Sequence, residues 1–271
     1  MLEYEFMRNA FMAGGAVAIV CGAVGFFLVL RHSSFAGHAL SHVGFAGATA
    51  AVLIGAPPLW GLLAFTLAAG IAMGVIGERL RGRDVAVGII LSLSLGLGVL
   101  FLYLYTGHAV QATAILFGSI LGVAPATLLA LFGLSAVSLC ALALLSRPLL
   151  FATLAPELAE AKGLSLRLVS VFFLAVVAVA VAEAAQVVGV LLVFALMVGP
   201  AAAALRLTTH VARGVALAVV LAVGETWAGI ALAYATDWPA TFWIVLAGCL
   251  IYFVAMLAGS RPWRHAARPL A

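Results

Sequence analysis

Asn9-Ala-Phe-Met-Ala-Gly-Gly-Ala-Val-Ala-Ile-Val-Cys-Gly-Ala-Val-Gly-Phe-Phe-Leu-Val-Leu30 carries no charged side chain over 22 consecutive positions. A helix crossing the hydrocarbon core of a bilayer needs about 20 apolar residues, so this stretch is long enough to span. The residues before it, Met1-Leu-Glu-Tyr-Glu5, lack the basic start of a signal peptide, and the stretch is expected to stay in the chain as a helix. Eight further apolar segments follow, at about His38 to Ala56, Leu59 to Gly77, Val85 to Tyr105, Pro125 to Leu145, Leu168 to Ala184, Val187 to Leu205, Arg213 to Tyr234 and Thr241 to Ala258. Ala112 to Val123 is too short to cross and reads as a short helix lying outside or re-entering.

Nine spans would use roughly 180 positions, about two-thirds of the 271 residues, leaving only short loops. The composition agrees: 66% of residues are apolar and 8% charged, and the mean hydropathy is +1.29. Soluble domains have about 45–50% apolar and about 25% charged residues. The expected fold class is therefore all-α, a polytopic transmembrane helical bundle forming a single membrane-embedded domain over residues 1–271. The expected helix count is nine, with eight and ten as its neighbours.

A net charge of +4 and a pI of 9.3 would point to nucleic acid in a soluble chain. Here the thirteen Lys and Arg residues are scattered through loops, which fits topology and excludes a nucleic-acid surface. One set of alternate connections holds Arg31; Arg79, Arg81 and Arg83; Arg147, Lys162 and Arg167; Arg206 and Arg213; and Arg261, Arg264 and Arg268. The opposite set holds only Arg8. This bias places the C-terminus in the cytoplasm and the N-terminus outside. Cys21, Cys140 and Cys249 lie far apart in apolar runs and read as small packing residues.

Ionisable residues within spans are costly and usually functional. His38 and His42 open the second segment at i, i+4, a spacing that sets both imidazoles on one helix face, able to converge on one cation. Glu225 lies near the middle of the eighth segment. Glu183 lies at the outer end of the sixth, where an interfacial position is an equal reading. His108 and Asp237 fall in outer loops and read as solvated residues rather than a metal entry path. Pro200 interrupts the seventh segment, and broken helices accompany transport pathways. Gly70, Gly74 and Gly77 read as sites of close helix packing.

The longest cytoplasmic connection runs from Ser146 to Arg167. Within it, residues 155–164 predict a short helix. Pro156 stands where its missing N–H costs nothing, Glu157 complements the helix dipole, and Gly163 can close the end. Such a helix suits docking to a cytoplasmic partner.

Enzyme chemistry is not expected. A zinc-protease helix needs Glu directly after its first His, and Ala39 stands there. A Gly-x-Ser-x-Gly nucleophile turn is missing, and the only lysine, Lys162, is not in a phosphate-binding loop. The chain cannot power itself with ATP.

Four stretches carry a family resemblance. They are Leu30-Arg-His-Ser-Ser-Phe-Ala-Gly-His-Ala-Leu-Ser-His-Val-Gly-Phe-Ala-Gly47, Ala114-Ile-Leu-Phe-Gly-Ser-Ile-Leu121, Pro156-Glu-Leu-Ala-Glu-Ala-Lys-Gly-Leu164 and Val188-Gly-Val-Leu-Leu-Val-Phe-Ala-Leu-Met-Val-Gly-Pro-Ala-Ala-Ala203. In this order they resemble the integral-membrane permease of bacterial zinc/manganese ABC importers, the ZnuB/TroC type, over about Phe11 to Gly259. The resemblance implies a type II importer permease in the bacterial inner membrane, paired with a second copy, most simply as a homodimer. It further implies cytoplasmic ABC ATPase subunits, which use the ATP, and an extracytoplasmic metal-binding protein. Pro156, Glu157, Glu160 and Gly163 would then belong to the ATPase coupling segment. The family's first motif usually reads Gly-Asp-x-x-x-His; His42 matches its histidine, and His38 stands in place of the aspartate.

The expectation is a permease for a divalent transition metal, zinc before manganese, using His38, His42 and Glu225, with no permanently bound cofactor. Zinc is favoured because imidazole suits it better than manganese. The alternatives are a permease of the same fold for a chelated nutrient such as a siderophore or cobalamin, and an ion-coupled secondary transporter using Glu183 or Glu225 as proton relay.

Overall fold

A computed structural model describes residues 3–76, 83–104, 116 and 118–258. Among the described residues there is no strand. The helices are α1 (Glu5–Leu30), α2 (Ser34–Leu53), α3 (Pro58–Ile76), α4 (Arg83–Leu104), α5 (Pro125–Leu154), the short α6 (Pro156–Ala161), α7 (Leu166–Val188), α8 (Val190–Leu207), α9 (Val211–Thr236) and α10 (Ala240–Ala258). A 3₁₀ turn covers Ile120–Gly122. Eight of these helices are long and apolar enough to cross a membrane. The ninth long helix, α2, has 20 residues and falls short on hydropathy because it carries the histidine pair. The chain is thus a multi-pass, all-α membrane bundle, and each predicted span coincides in the main with one long helix.

Several boundaries differ from the sequence pattern. The fifth span does not stop at Leu145: α5 continues through Pro148 to Leu154. Leu149 and Ala152 are buried there, and their packing outweighs the hydrogen bond that Pro148 removes. The expected break near Ala184–Gln186 lies instead at Gly189, whose φ of 82° suits glycine alone at low cost. Pro200 does not interrupt its helix, because α8 runs through it from Val190 to Leu207. The predicted short helix at 112–123 falls partly outside the described residues, its described part holding the 3₁₀ turn Ile120–Gly122; Gly77, His108, Arg79, Arg81, Arg261, Arg264 and Arg268 lie outside them.

α1 is the most enclosed span and packs against α5, α7, α8 and α9. α7 also lies against α3 and α5, α2 runs between α3 and α4 while touching α8, and α10 closes over α8 and α9. Lipid tails are as apolar as leucine, so helices in a bilayer associate by close packing and hydrogen bonds. Gly70 and Gly74 of α3 supply the first: a Cβ on Gly74 would stand 2.7 Å from the Val171 Cα, and one on Gly70 would stand 2.8 Å from the Leu174 carbonyl oxygen. Thr66 supplies the second, donating its hydroxyl to the Ala178 carbonyl at 3.1 Å. Gly25 brings α1 directly against the Met197 carbonyl of α8, in the turn whose hydrogen bond Pro200 removes.

Candidate functional site

Arg31, His32 and Ser33 form the tight turn between α1 and α2. The peptide N–H groups of Arg31, His32 and Ser33 donate back to carbonyls of α1, and His32 takes a left-handed φ of 52°. α2 begins at once, so His38 and His42 fall on its first two and a half turns. Their rings lie 4.7 Å apart, centroid to centroid, at an interplanar angle of 84°. Phe194 of α8 sets its ring against His38 at 5.0 Å. Both histidines are half-buried. The expected pairing on one face is therefore present, and two imidazoles this close can share one cation, with water filling the other positions.

Glu225 stands apart from this pair. It lies midway along α9, 2% exposed, and its Oε2 has no hydrogen-bond partner. The bare backbone of Gly248 on α10 makes room for it: a Cβ there would stand 2.9 Å from Oε2. Among the described residues no three His, Cys, Asp or Glu side chains are placed to hold one ion together. The sequence-predicted trio thus divides into a histidine pair on α2 and a separate carboxyl between α9 and α10.

Glu183 is enclosed by the bundle. Because α7 extends to Val188, its side chain is wholly buried. Ser135 of α5 donates to Oε2 at 3.2 Å, while Oε1 has no partner. An unpaired carboxylate at such a depth is costly. Asp237 closes the C-terminus of α9 in the left-handed region at φ 57° and is exposed.

The predicted docking segment forms as α6. Pro156 takes the first position and Glu157 the first turn. Gly163 has φ +79°. Its N–H donates to the Glu160 carbonyl at 2.8 Å and that of Leu164 to the Ala159 carbonyl at 3.0 Å, the paired closure of a Schellman motif. Ala159 is buried beneath the helix, whereas Glu157, Leu158, Glu160 and Lys162 face outward. This is a compact polar knob at the same end of the bundle as the α1–α2 turn.

Arg31 connects those two features and carries a role the sequence did not show. Its Nη1 donates to Thr153 Oγ1 at 3.2 Å and its Nη2 to Ser170 Oγ at 3.0 Å. In the sequence it counted only as one basic residue in a loop. Its partners lie more than 120 positions away, beyond any local pattern.

Comparison with known proteins places the chain and its fold. The model of the ABC 3 transport family matches residues 3–259. The manganese transport system membrane protein MntC of Halalkalibacterium halodurans is 29% identical over 94% of this chain and 88% of its own. A "Probable iron transport system membrane protein" of Haemophilus influenzae is 30% identical over 94% of both chains. Among solved structures, PsaBC from Streptococcus pneumoniae in complex with Fab superposes with a TM-score of 0.84 at 25% identity, over 94% of this chain and 92% of that one.

Proposed function

This chain belongs to the ABC 3 transport family, and from that premise we propose that it is the permease of an ATP-driven importer passing a divalent transition metal into the cell. The observation that carries the proposal is the His38–His42 pair, two imidazole rings with centroids 4.7 Å apart on a membrane helix that otherwise has no reason to hold them. The metal is cargo, released by an extracytoplasmic binding protein and handed inward by a permease dimer. Separate ATPase subunits dock on α6 and hydrolyse the ATP, and the chain itself is not an enzyme.

Two neutral imidazoles completed by water bind an ion loosely, which suits a transit site that must also release it. Glu225 offers negative charge to offset the dication at a separate level of the bundle. The relatives' names favour manganese or iron as cargo. The residues of this chain favour zinc, because imidazole replaces a hard oxygen donor at His38, and zinc binds nitrogen more tightly than manganese does. A cargo of bulky siderophore or cobalamin type would gain nothing from a histidine pair.

The test is uptake by vesicles holding the complete transporter, with zinc(II) and manganese(II) in competition and the partner proteins held constant. His42→Ala is expected to abolish uptake of the preferred ion, and His38→Asp to move preference towards manganese. Normal uptake by both variants would make the pair structural.

A further inference from the structure

We propose that Arg31 is a positioning residue that transmits movement of the ATPase-docking helix to the histidine-bearing helix α2. The inference rests on the permease reading above and adds the mechanical link it needs. α6 is attached to the bundle by two stems, the end of α5 and the start of α7. The guanidinium holds both: Nη1 bonds Thr153, three residues before Pro156, and Nη2 bonds Ser170 in the first turns of α7. The geometry at Thr153 is complete. The Thr153 hydroxyl spends its one hydrogen on the Leu149 carbonyl at 2.6 Å, which leaves its lone pairs for Arg31.

The ring of Phe173, 1% exposed, lies 5.6 Å from the guanidinium carbon and fixes the plane from α7. At the other end of the same residue, the Arg31 carbonyl accepts the Ser33 hydroxyl at 3.2 Å. Ser33 in turn starts α2, accepting from the N–H groups of Ala36 and Gly37. His38 follows one turn later. A shift of either stem therefore pulls on the first turn of α2 through one rigid, planar group. Lysine could not do this, since a single ammonium on a flexible stem lacks the planar fork that fixes two acceptors in set directions.

The experiment uses the complete transporter in vesicles, measuring radiolabelled manganese(II) and zinc(II) uptake together with ATP hydrolysis. Arg31→Met and the near-isosteric pair Thr153→Val with Ser170→Ala should each lower ions moved per ATP by about tenfold, an ordinary size for coupling between two sites. Metal-independent hydrolysis should persist, and Arg31→Lys should fall between. The hydroxyl pair keeps the test open should Arg31→Met fail to fold. An unchanged ratio in the hydroxyl pair, or uptake and hydrolysis falling in parallel in every variant, would overturn the link. If the unmodified transporter moves neither metal, the permease reading itself fails and takes this inference with it.

Discussion

Gly163 offers a perturbation whose cost follows from the backbone alone. It holds φ +79° at the end of α6, and a Cβ built there would meet nothing within 4 Å. Gly163→Ala therefore introduces no clash and loses no packing; it only forces an L-residue into the left-handed region, at about 1–2 kcal/mol. Two hydrogen bonds close α6 through this residue and its neighbour, from Gly163 to Glu160 and from Leu164 to Ala159. The mutant relieves its strain by giving them up, so the closed-to-open ratio of α6 falls by roughly 5–30-fold. If the closed knob is what the ATPase binds, the apparent affinity of purified ATPase subunit for permease in nanodiscs falls by up to the same factor. Asparagine tolerates the left-handed region far better than alanine, so Gly163→Asn should recover most of the loss. Unaltered affinity for Gly163→Ala, or equal loss for both variants, would refute the reasoning.

Other expectations follow from the packing. Gly25→Ala drives a methyl onto the Met197 carbonyl and should cost about 1–3 kcal/mol as overpacking, whereas Gly133→Ala, with open space around it, should hold or raise stability; thermal unfolding of the detergent-solubilised protein compares them. Glu183→Leu removes a buried oxygen that has no partner and should raise the unfolding midpoint, since an orphaned buried acceptor costs about 1–3 kcal/mol; a lowered midpoint would mean that the carboxyl is bound to something. On a cysteine-free background, cysteines at Lys162 and Asp237 should react from opposite faces of the membrane, with Lys162 reached only from the cytoplasm; same-side labelling would overturn the orientation drawn from the basic residues.

Much of this architecture was legible along the chain because a membrane span is a statistical object: some twenty apolar residues announce it whatever they touch. The closure of α6 was equally local, since Pro156, Glu157 and Gly163 act within one helix. What escaped depended on distant partners. The end of α5 could not be placed from Ser146 and Pro148, because Leu149 and Ala152 extend the helix by packing against other elements. For Glu183 an interfacial position was an equal reading while its span was taken to stop at Ala184; four more residues of helix, ended only by Gly189, enclose it in the bundle. Spacing within α2 brought the histidines together correctly, but no local rule could say that Glu225 faces Gly248 instead of them.

The separation of Glu225 from the histidines bears on how such a permease would pass its cargo. A three-ligand site of two imidazoles and a carboxylate would bind a transition metal tightly and neutralise part of its charge. Release would then cost as much as binding gained. Two half-buried imidazoles, one braced by Phe194, give a weaker site that a modest shift of α2 against α8 can dismantle. On the proposal made for Arg31, that shift would begin beside α6, because the first turn of α2 hangs from Arg31 and so from both stems of α6. On the proposed reading, a carboxyl buried elsewhere, such as Glu225, would act on the ion through space rather than as a ligand, without holding it. Loose donors next to the mechanical input, with buried carboxyls at a distance, would make an arrangement in which energy is spent on moving the ion and not on prising it free.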